Sequence, residues 1–337
     1  MKAIIMAGGE GSRLRPLTCD CPKPMMRLMN RPIMQYAVEL LAAHGVTEIA
    51  ATLGYQPDAI LDYFGDGSAL GVSLRWFVEP APLGTAGGVR QAREMLDETF
   101  AVLSGDGLTD LNLTEAAAFH RQRGALATLV LRREPNPSEY GVVCMDEDGR
   151  IRRFYEKPGR CDLVSDLINT GVYILEPEVL DRIPADRPYD FGHDLFPRLA
   201  EEGAPLFGYV MNGYWCDVGT PLSYYQCCVD ALRGRLDLSP APEFAAAPAP
   251  DDGDDGSGGV ICPCRDRAEL MGTLSELFMD MGADYSDGLR VSGDGFELHI
   301  APLASRSAVR VAIESEREEF ARELTSTALE LIRALDK

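Results

Sequence analysis

The sequence has 337 residues, of which 46% are hydrophobic and 25% are charged, a composition typical of a globular protein large enough for two domains. Its formal net charge of −21 excludes nucleic acid as the expected main partner, because another polyanion would be repelled. No apolar run approaches the roughly 18 residues of a membrane span and no secretory signal is recognisable, so we expect no membrane partner and a cytoplasmic location.

Predicted strands and helices alternate along the first part of the chain. Strands are indicated by KAIIMAG, EIAATLG, VSLRWFVE and FAVLSGD, and helices by PIMQYAVELLAAHG, PDAILDYFG, TAGGVRQAREML and LTEAAAFHRQRG. The segments ATLVLRR, YGVVCMD, IRRFYEK and NTGVYIL then indicate strands, and DLFPRLAEEG a helix. Strands LFGYVM and YWCDVG and the helix PLSYYQCCVDALRG complete this part. The order predicts a Rossmann-like α/β fold with a mostly parallel mixed sheet covered on both faces.

The composition changes abruptly after this unit. The segment SPAPEFAAAPAPDDGDDGSGG has almost no large apolar residue and is typical of a solvated linker. A helix over 266–281, strands near GLRVS, FELHIAP and AVRVAIES, and a terminal helix follow it. We therefore predict three parts: a first domain over 1–236, a linker over 237–260 and a small α/β module over 261–337.

Positive charge is gathered near the N-terminus of this acidic chain. Residues 1–31 contain six basic and two acidic residues, and the glycines of GGEGSR follow the first predicted strand. The segment matches neither the dinucleotide fingerprint nor the P-loop. Glycines let backbone N–H groups approach a phosphate or base closely, and Arg13 can bind phosphate oxygens with both arms of its guanidinium. A glycine turn with surface arginines is the alternative.

Lys23 lies between two prolines in PKPMM, which restrict its backbone to an extended form. Only four of the 32 basic residues are lysine, and Lys157 occurs in the similar context EKP. A chain so rich in arginine is expected to keep lysine where a compact ammonium is needed. A surface lysine in a turn is the alternative for Lys23.

Two aspartates follow predicted strands in distant parts of the chain, Asp106 in SGDGLTDLNL and Asp217 in WCDVGTP. Ligands of α/β sheets bind at the carboxyl ends of strands, and two carboxylates there suit one Mg²⁺. Helix capping or turn formation is the alternative, and we interpret Asp110 in this way. The cysteines and histidines have no zinc-site spacing.

Two further groups of small and polar residues are candidates for ligand contacts. In LGTAGG, glycines at a helix start can lie against a base or ribose, although a simple strand–helix turn explains them equally well. In YGVV, FYEKP and NTGVY, a carboxylate and an amide can hold sugar hydroxyls and an ammonium can hold a phosphate. Each of these signals is weak alone.

The order of the motifs is more specific than any one of them. AGGEGSRLRPLT–PKPM, LGTAGG, SGD, YGVV, EKP, NTG and WCDVGTP together resemble the sugar-1-phosphate nucleotidyltransferase family over about residues 1–235. NRPIMQYAVELLAAHG, GDGSALGV, PNPSEYGVV and GYWCDVG most resemble bacterial mannose-1-phosphate guanylyltransferases, particularly those fused to a phosphomannomutase-like region. The resemblance implies the nucleotide-diphospho-sugar transferase fold, which is GT-A-like.

The resemblance also implies roles for particular residues. Arg13, Lys23, Asp106 and Asp217 would be catalytic, with Asp106 and Asp217 as the ligands of Mg²⁺, the expected cofactor. The nucleotide would be bound by Gly8, Gly9, Gly11, Arg13, Lys23, Gly84, Thr85, Gly87 and Asp106. The sugar phosphate would be bound by Gly141, Glu156, Lys157, Asn169 and Thr170.

The implied partners are a nucleoside triphosphate and a hexose 1-phosphate, and the sequence leaves homo-oligomerisation open. The expected reaction joins GTP and mannose 1-phosphate into GDP-mannose and pyrophosphate. The alternatives are a glucose-1-phosphate nucleotidyltransferase that uses UTP, dTTP or ATP, and a non-catalytic regulatory subunit that binds a nucleotide-sugar.

The C-terminal module resembles the last domain of phosphohexomutases through DGLRV, the strands that follow and the terminal helix. The mutase phosphate loop is replaced by APLASRS, and no phosphoserine segment is present. Mutase activity is therefore not expected. A packing or oligomerisation module is favoured over a phosphate contact by Arg306.

Overall fold

The computed structural model describes residues 1–15, 18–19, 21–28, 31–158, 165–232, 235–236, 259–278, 288–293, 296–303, 307–315 and 318–336. The chain divides into two compact units that do not follow chain order. The first consists of Met1–Gly11, Cys21–Arg27 and Arg31–Val218, and the second of Ser12–Asp20, Leu28–Asn30 and Gly219–Lys337. The predicted linker lies outside the described residues, apart from 259 and 260. The predicted division into domains remains a prediction.

Strands and helices alternate through residues 1–123, as predicted. The strands are β1 (Lys2–Ala7), β2 (Arg27–Leu28), β3 (Arg31–Pro32), β4 (Glu48–Leu53), β5 (Ser73–Val78), β6 (Phe100–Ser104) and β7 (Gly107–Thr109). The helices are α1 (Ile33–Ala43), α2 (Pro57–Phe64), α3 (Gly84–Gln91) and α4 (Leu113–Arg123).

Strands dominate the next part of the chain. They are β8 (Ala127–Arg133), β9 (Gly141–Met145), β10 (Ile151–Glu156), β11 (Leu167–Leu175), β12 (Leu206–Val210) and β13 (Trp215–Asp217). The helices here are α5 (Phe196–Glu201) and α6 (Pro221–Leu232).

Within the described residues, nine strands of the first unit form one mixed sheet with the main order β10-β9-β11-β6-β1-β4-β5. The run β6-β1-β4-β5 is parallel, and β12 pairs with β8 in parallel. In contrast, β11 pairs antiparallel with β6, β8 and β9. The consecutive strands β9 and β10 also pair antiparallel, as a short connection favours. The predicted mixed α/β sheet is confirmed.

Both faces of this sheet are buried, which explains why its central strands are continuous apolar runs. On one face Ile5 packs in a cluster with Met34 and Leu41 of α1. On the other face Ile4 packs in a cluster with Val89 of α3 and Phe196 of α5. Because both faces are covered, polar side chains and glycines lie at the carboxyl ends of the parallel strands.

The C-terminal part of the second unit is a small antiparallel sheet with two helices. It contains β14 (Val260–Pro263), α7 (Arg267–Phe278), β15 (Leu289–Gly293), β16 (Phe296–Pro302), β17 (Ala308–Ser315) and α8 (Glu318–Leu335). The strand order is β14-β17-β16-β15. Sequence analysis found every one of these elements except β14. Arg306, the phosphate-contact candidate, lies outside the described residues.

None of the helices described by the structure has both the length and the hydropathy needed to cross a membrane.

Candidate active site

A cleft of about 520 Å³ lies in the first unit, beside the ends of β1, β4, β5 and β6. Its volume is in the range of small-molecule sites, and its place is where open α/β sheets bind ligands. Of the residues predicted from sequence, five line it: Gly8, Gly9, Gly84, Thr85 and Asp106. Residues outside the predicted site also line it, among them Thr52, Gly54, Tyr55, Glu79 and Asp190.

The glycines after β1 have different local environments. A Cβ on Gly54, directly after β4, would lie 2.5 Å from the carbonyl oxygen of Gly8. The segments that follow β1 and β4 therefore approach each other too closely for a side chain at position 54. A Cβ on Gly8 would lie 3.2 Å from Oε1 of Glu79, whereas one on Gly9 would meet nothing within 4 Å. Gly9 therefore has open space beside its backbone, as a ligand-facing position requires. Gly11 has a φ of 61° and does not line the cleft.

A compact charged cluster adjoins the cleft at its rim through Asp106, which lines the cleft, whereas Lys23 and Asp217 do not line it. Strand β13 pairs antiparallel with β7, and this register places Asp217 opposite Gly107 and hence beside Asp106. The Nζ atom of Lys23 lies 2.6 Å from Oδ2 of Asp106 and 3.4 Å from Oδ1 of Asp217. The Ser104 hydroxyl donates to Oδ1 of Asp106. Three separate segments of the chain, which carry Lys23, Asp106 and Asp217, thus bring one cation and two carboxylates together.

The cluster is charged although it is partly removed from water. The Lys23 side chain is only 9% exposed, and this burial alone would lower its pKa, but the carboxylates of Asp106 and Asp217 outweigh burial and raise it. Burial would likewise raise the pKa of Asp106, but the Lys23 ammonium and the Ser104 hydroxyl hold it below its usual value. A buried charge needs such partners to remain ionised.

The two carboxylates have the chemistry of a magnesium site that is completed by other ligands. Oxygen atoms of Asp106 and Asp217 converge on one positive group, the Lys23 ammonium. Within the part of the chain that the structure describes, no group of three or more acidic, cysteine or histidine side chains could hold a metal by itself. Mg²⁺ commonly takes one or two carboxylates and fills its remaining positions with water and phosphate oxygens, so the pair fits this cation.

The predicted glycines of α3 form a tight joint with the segment around Tyr189. Gly84 has a φ of 74°, and a Cβ on it would lie 2.7 Å from the carbonyl oxygen of Tyr189. That oxygen accepts hydrogen bonds from the N–H groups of Ala86 and Gly87, at 3.0 and 2.9 Å. The small residues are therefore needed by the fold itself. Gly84 and Thr85 also border the cleft, whereas Gly87 is buried and does not line it.

Asp190 caps the first turn of α3. One oxygen of its carboxylate, Oδ1, accepts hydrogen bonds from both the backbone N–H and the hydroxyl of Thr85, each at 3.0 Å. The Thr85 hydroxyl in turn accepts from the N–H of Phe191 at 3.0 Å. Sequence analysis missed Asp190, because the pairing joins residues 105 positions apart and leaves no local pattern.

Glu79 is the second acidic residue that sequence analysis missed. It follows β5 directly, and its half-buried carboxylate lines the cleft. Oε2 accepts the N–H of Leu83 at 3.1 Å, and burial raises the pKa of the carboxyl despite this hydrogen bond. A Cβ on Gly88 would lie 2.5 Å from Oε1, so a side chain there would displace the Glu79 carboxylate. The same signal that identified Asp106, an acidic residue directly after a strand, could have found it.

Part of the predicted sugar site lies on β9, β10 and β11. Glu156 is opposite Gly141 in the register, and a Cβ on Gly141 would lie 3.1 Å from its Oε2. Burial raises the pKa of Glu156, and the charges of Lys157 and His193 oppose it. The Asn169 amide donates to the hydroxyl of the buried Tyr173 at 3.0 Å.

The other two predicted sugar-phosphate residues differ sharply in exposure. Lys157 is exposed and has a φ of 44°, a left-handed conformation that is unusual for a side-chain-bearing residue and is often found at functional sites. Thr170 is 4% exposed, and its hydroxyl donates to the carbonyl oxygen of Val130 at 2.7 Å. Sugar binding by Thr170 remains a prediction, although its hydroxyl already has an internal partner.

Arg13 lies in a short 3-10 helix, Ser12–Leu14, and its side chain is exposed. This segment belongs to the second unit, whereas the cleft and the charged cluster belong to the first. The triphosphate-binding role that was predicted for Arg13 remains a prediction.

Residues 2–233 match the protein-family model described as Nucleotidyl transferase. A UTP--glucose-1-phosphate uridylyltransferase of Synechocystis sp. is 41% identical over 250 residues, 70% of this chain and 63% of the relative. A mannose-1-phosphate guanylyltransferase of Mycobacterium tuberculosis is 37% identical over 242 residues, 71% of this chain and 66% of the relative. The chain spans slightly less than two thirds of the length of these curated relatives.

Solved structures share the fold of the first part of the chain. HddC from Yersinia pseudotuberculosis is similar with a TM-score of 0.58 at 27% identity, covering 67% of this chain and 97% of HddC, and it has been solved in complex with GMP-PN. A structure from Bacillus anthracis, solved with sucrose, has a TM-score of 0.65 at 24% identity and covers 72% of this chain and 98% of that one.

Proposed function

Because the chain belongs to the nucleotidyl transferase family, and to the sugar-1-phosphate nucleotidyltransferases within it, we propose that it joins a nucleoside triphosphate and a hexose 1-phosphate into a nucleotide-sugar and pyrophosphate. GTP and mannose 1-phosphate are the substrates that we propose. The observation that carries the proposal is the cluster of Lys23, Asp106 and Asp217 at the rim of a cleft of about 520 Å³.

The reaction needs positioning and charge stabilisation more than it needs an acid or a base. A phosphate oxygen of the sugar phosphate forms a bond to the α-phosphorus of the triphosphate. The bond from that phosphorus to the bridging oxygen breaks, and its electron pair leaves with pyrophosphate. The nucleophile is already an anion, so the protein must chiefly hold two mutually repelling anions in line and stabilise the spread charge.

Lys23 is suited to this task because its ammonium is fixed before any substrate binds. The two carboxylates keep it charged and hold it at the cleft rim, where the phosphates of a nucleotide in the cleft would come. Asp106 and Asp217 would hold Mg²⁺, and the bound cation would neutralise phosphate charge there. A fixed charge in a site partly shielded from water stabilises a transition state without having to reorganise.

Glu79 favours guanine as the base. Oε2 is engaged with the Leu83 N–H, and Oε1 lies on the side of Gly8 and Gly88. An ionised carboxylate only accepts hydrogen bonds. Guanine presents two adjacent donors, N1–H and the 2-amino group, on one edge. Uracil and thymine present a single N–H between two carbonyl oxygens, which a carboxylate would repel.

A second candidate is UTP with glucose 1-phosphate. It is favoured by the similarity to the Synechocystis uridylyltransferase, which is 41% identical to this chain, compared with 37% for the Mycobacterium guanylyltransferase. The polar side chains of the proposed sugar site, such as Glu156 and Asn169, could bind hydroxyls of either hexose.

A grid of substrates tests the proposal. Purified protein is incubated with Mg²⁺, each of GTP, UTP, dTTP and ATP, and either mannose or glucose 1-phosphate, and the release of pyrophosphate is measured. We expect the highest kcat/KM for GTP with mannose 1-phosphate. A clear preference for UTP with glucose 1-phosphate would establish the second candidate. Binding of GDP-mannose without pyrophosphate release from any pair would instead identify a regulatory subunit and contradict the proposal.

A further inference from the structure

Asp217 is presented by a very short strand. Strand β13 has three residues, and within the described part of the chain it pairs only with the equally short β7. Isolated two-stranded pairs are marginally stable even when they are longer, so this pairing cannot fix Asp217 by itself. A slip of one residue would turn Asp217 to the opposite face of the strand, away from Lys23. Other contacts must therefore hold the register.

Three hydrogen bonds hold Tyr214, the residue directly before β13. The carboxylate of Asp110 accepts the Tyr214 N–H through Oδ1 at 2.6 Å. The Tyr214 carbonyl oxygen accepts from the N–H of Asp110 at 3.3 Å and from the hydroxyl of Thr109 at 2.8 Å. The Asp110 side chain thus binds the backbone of β13 at its entrance, and its own backbone continues from β7.

The following residue, Trp215, is held from the side. Arg132 of β8 donates a hydrogen bond to its carbonyl oxygen, and its indole N–H donates to the carbonyl oxygen of Thr170 at 2.8 Å. Beyond the strand, the N–H of Val218 donates to the carbonyl oxygen of Asp106 at 3.3 Å. At the entrance to β13, the Asp110 carboxylate accepts the hydrogen bond from the Tyr214 N–H.

Gly213 shows how closely this carboxylate approaches the chain. A Cβ at position 213 would lie 2.1 Å from Oδ1 of Asp110 and 3.2 Å from its Cγ. Gly213 is not among the residues with a positive φ. A methyl group at position 213 would therefore displace the Asp110 carboxylate, without adding backbone strain. A substitution at position 213 can therefore disturb the hydrogen bond between Asp110 and Tyr214 without changing Asp110 itself.

We propose that Asp110 is a positioning residue, which holds the entrance of β13 and thereby fixes Asp217 beside Lys23 and Asp106. Its effect on turnover rests on the function proposed above, whereas its effect on geometry does not. The sequence indicated a turn residue, but the carboxylate of Asp110 instead binds the backbone of Tyr214, 104 positions further along the chain, and through this contact would set the position of an active-site carboxylate.

The experiment compares Asp110→Ala, Asp110→Asn and Gly213→Ala with the wild type in two measurements. The first is the NMR signal of Lys23 in protein labelled at lysine Cε and free of substrates, which is tractable because the chain has only four lysines. The signal that is absent from Lys23→Arg is assigned to Lys23. The Asp217→Asn variant gives the chemical shift of Lys23 when the charge on Asp217 is lost. The second is kcat and KM at several Mg²⁺ concentrations.

Asp146→Ala is the matched control, because the carboxylate of Asp146 also accepts backbone N–H groups, those of Asp148 at 3.1 Å and Arg150 at 2.9 Å. We expect Asp110→Ala and Gly213→Ala to move the Lys23 signal towards that of Asp217→Asn. They should lower kcat on the order of tenfold or more, with little change in the KM for the nucleotide. Asp110→Asn keeps an acceptor oxygen and should retain most of the wild-type behaviour, as should Asp146→Ala.

The double variant Asp110→Ala/Gly213→Ala should be no worse than Asp110→Ala alone, since the added methyl group then has room. An unchanged Lys23 signal in both Asp110→Ala and Gly213→Ala would overturn the proposal. It would also be overturned if Asp146→Ala lowered kcat as much as Asp110→Ala does. If the wild type shows no turnover with any substrate pair, the proposed function fails, and the Lys23 signal still decides whether Asp110 positions Asp217.

Discussion

Lys23 is one of four lysines beside 28 arginines, and the fold places its largely buried ammonium between two carboxylates. Its backbone is not extended, as the two prolines predicted, because Lys23 begins a single 3-10 turn, Lys23–Met25, after Pro22. A guanidinium is wider and planar, so it cannot take the place of an ammonium held 2.6 and 3.4 Å from two separate carboxylates without moving them.

We therefore expect Lys23→Arg to lower kcat by about tenfold or more although the charge is kept. The measurement is steady-state pyrophosphate release. Lys2→Arg is the control, because Lys2 also forms an ion pair, with Asp97 at 2.7 Å, but at the opposite end of β1 from the cleft. Near-normal turnover of Lys23→Arg would contradict the argument for a compact ammonium.

Glu79 gives a prediction about specificity. Glu79→Gln replaces one acceptor with a donor, which would remove the preference for the two adjacent donors of guanine. The ratio of kcat/KM for GTP to that for UTP should fall by about tenfold, as expected for one charged hydrogen bond. Glu48→Gln, at an exposed carboxylate at the start of β4, should leave the ratio unchanged. An unaltered ratio in Glu79→Gln would show that base choice lies elsewhere.

The start of α3 depends on glycine for two separable reasons. Gly84 and Gly45 both have a φ of 74°, but a Cβ on Gly84 would lie 2.7 Å from the Tyr189 carbonyl oxygen, whereas one on Gly45 would meet nothing within 4 Å. Each change to alanine carries the left-handed backbone penalty of about 1–2 kcal/mol. Gly84→Ala adds overpacking, which typically costs about 1–3 kcal/mol.

We expect Gly84→Ala to lower the free energy of unfolding clearly more than Gly45→Ala, measured by denaturant titration of both. Equal losses would mean that the joint between α3 and Tyr189 accommodates a side chain. Such a result would favour the interpretation made from the sequence, in which Gly84 is a glycine because it contacts a ligand.

Different elements were predictable from sequence to different degrees. Central strands such as β1 and β6 were clear, because burial on both faces makes them continuous apolar runs. The three-residue strand β7 was not predicted, and it is the partner that brings Asp217 to Asp106. The strand-end argument anticipated that these two carboxylates could meet. The same argument could have identified Glu79, which directly follows β5, but not Asp190, whose contact with Thr85 joins residues 105 positions apart.

The stability of the whole chain should depend on pH through His120. This histidine of α4 is 1% exposed, and its ring nitrogens lie 2.8 Å from the hydroxyl of Thr128 and 3.0 Å from a carboxylate oxygen of Glu176. Burial lowers the pKa of His120 and outweighs the opposing effect of Glu176. The folded state therefore favours the neutral ring, whereas the unfolded state takes up a proton below about pH 6.5.

The stability that His120 contributes is complete above about pH 6.5 and is lost as the pH falls towards the lowered pKa of the folded state. We expect the free energy of unfolding of the wild type to fall more between pH 7.5 and 5.5 than that of His120→Gln. Denaturant titrations at both pH values measure this difference. Identical losses in the two proteins would contradict the prediction.

The charge distribution of the whole molecule fits a protein that binds small anions at one place. The net charge is −21, yet Lys23, which forms an ion pair with the cleft residue Asp106, lies in the part of the chain where basic residues exceed acidic ones. Sequence analysis identified this contrast, but it could not show that two carboxylates would flank Lys23. The central claim is that this cluster performs nucleotidyl transfer.

Pyrophosphate release by the wild type and by Asp106→Asn tests that claim most directly, with Asp146→Asn as the control at an exposed turn. We predict turnover by the wild type with GTP and mannose 1-phosphate, a loss of about 100-fold or more in Asp106→Asn, and little change in the control. Turnover of Asp106→Asn close to that of the wild type, or no release by the wild type with any pair of substrates, would contradict the account.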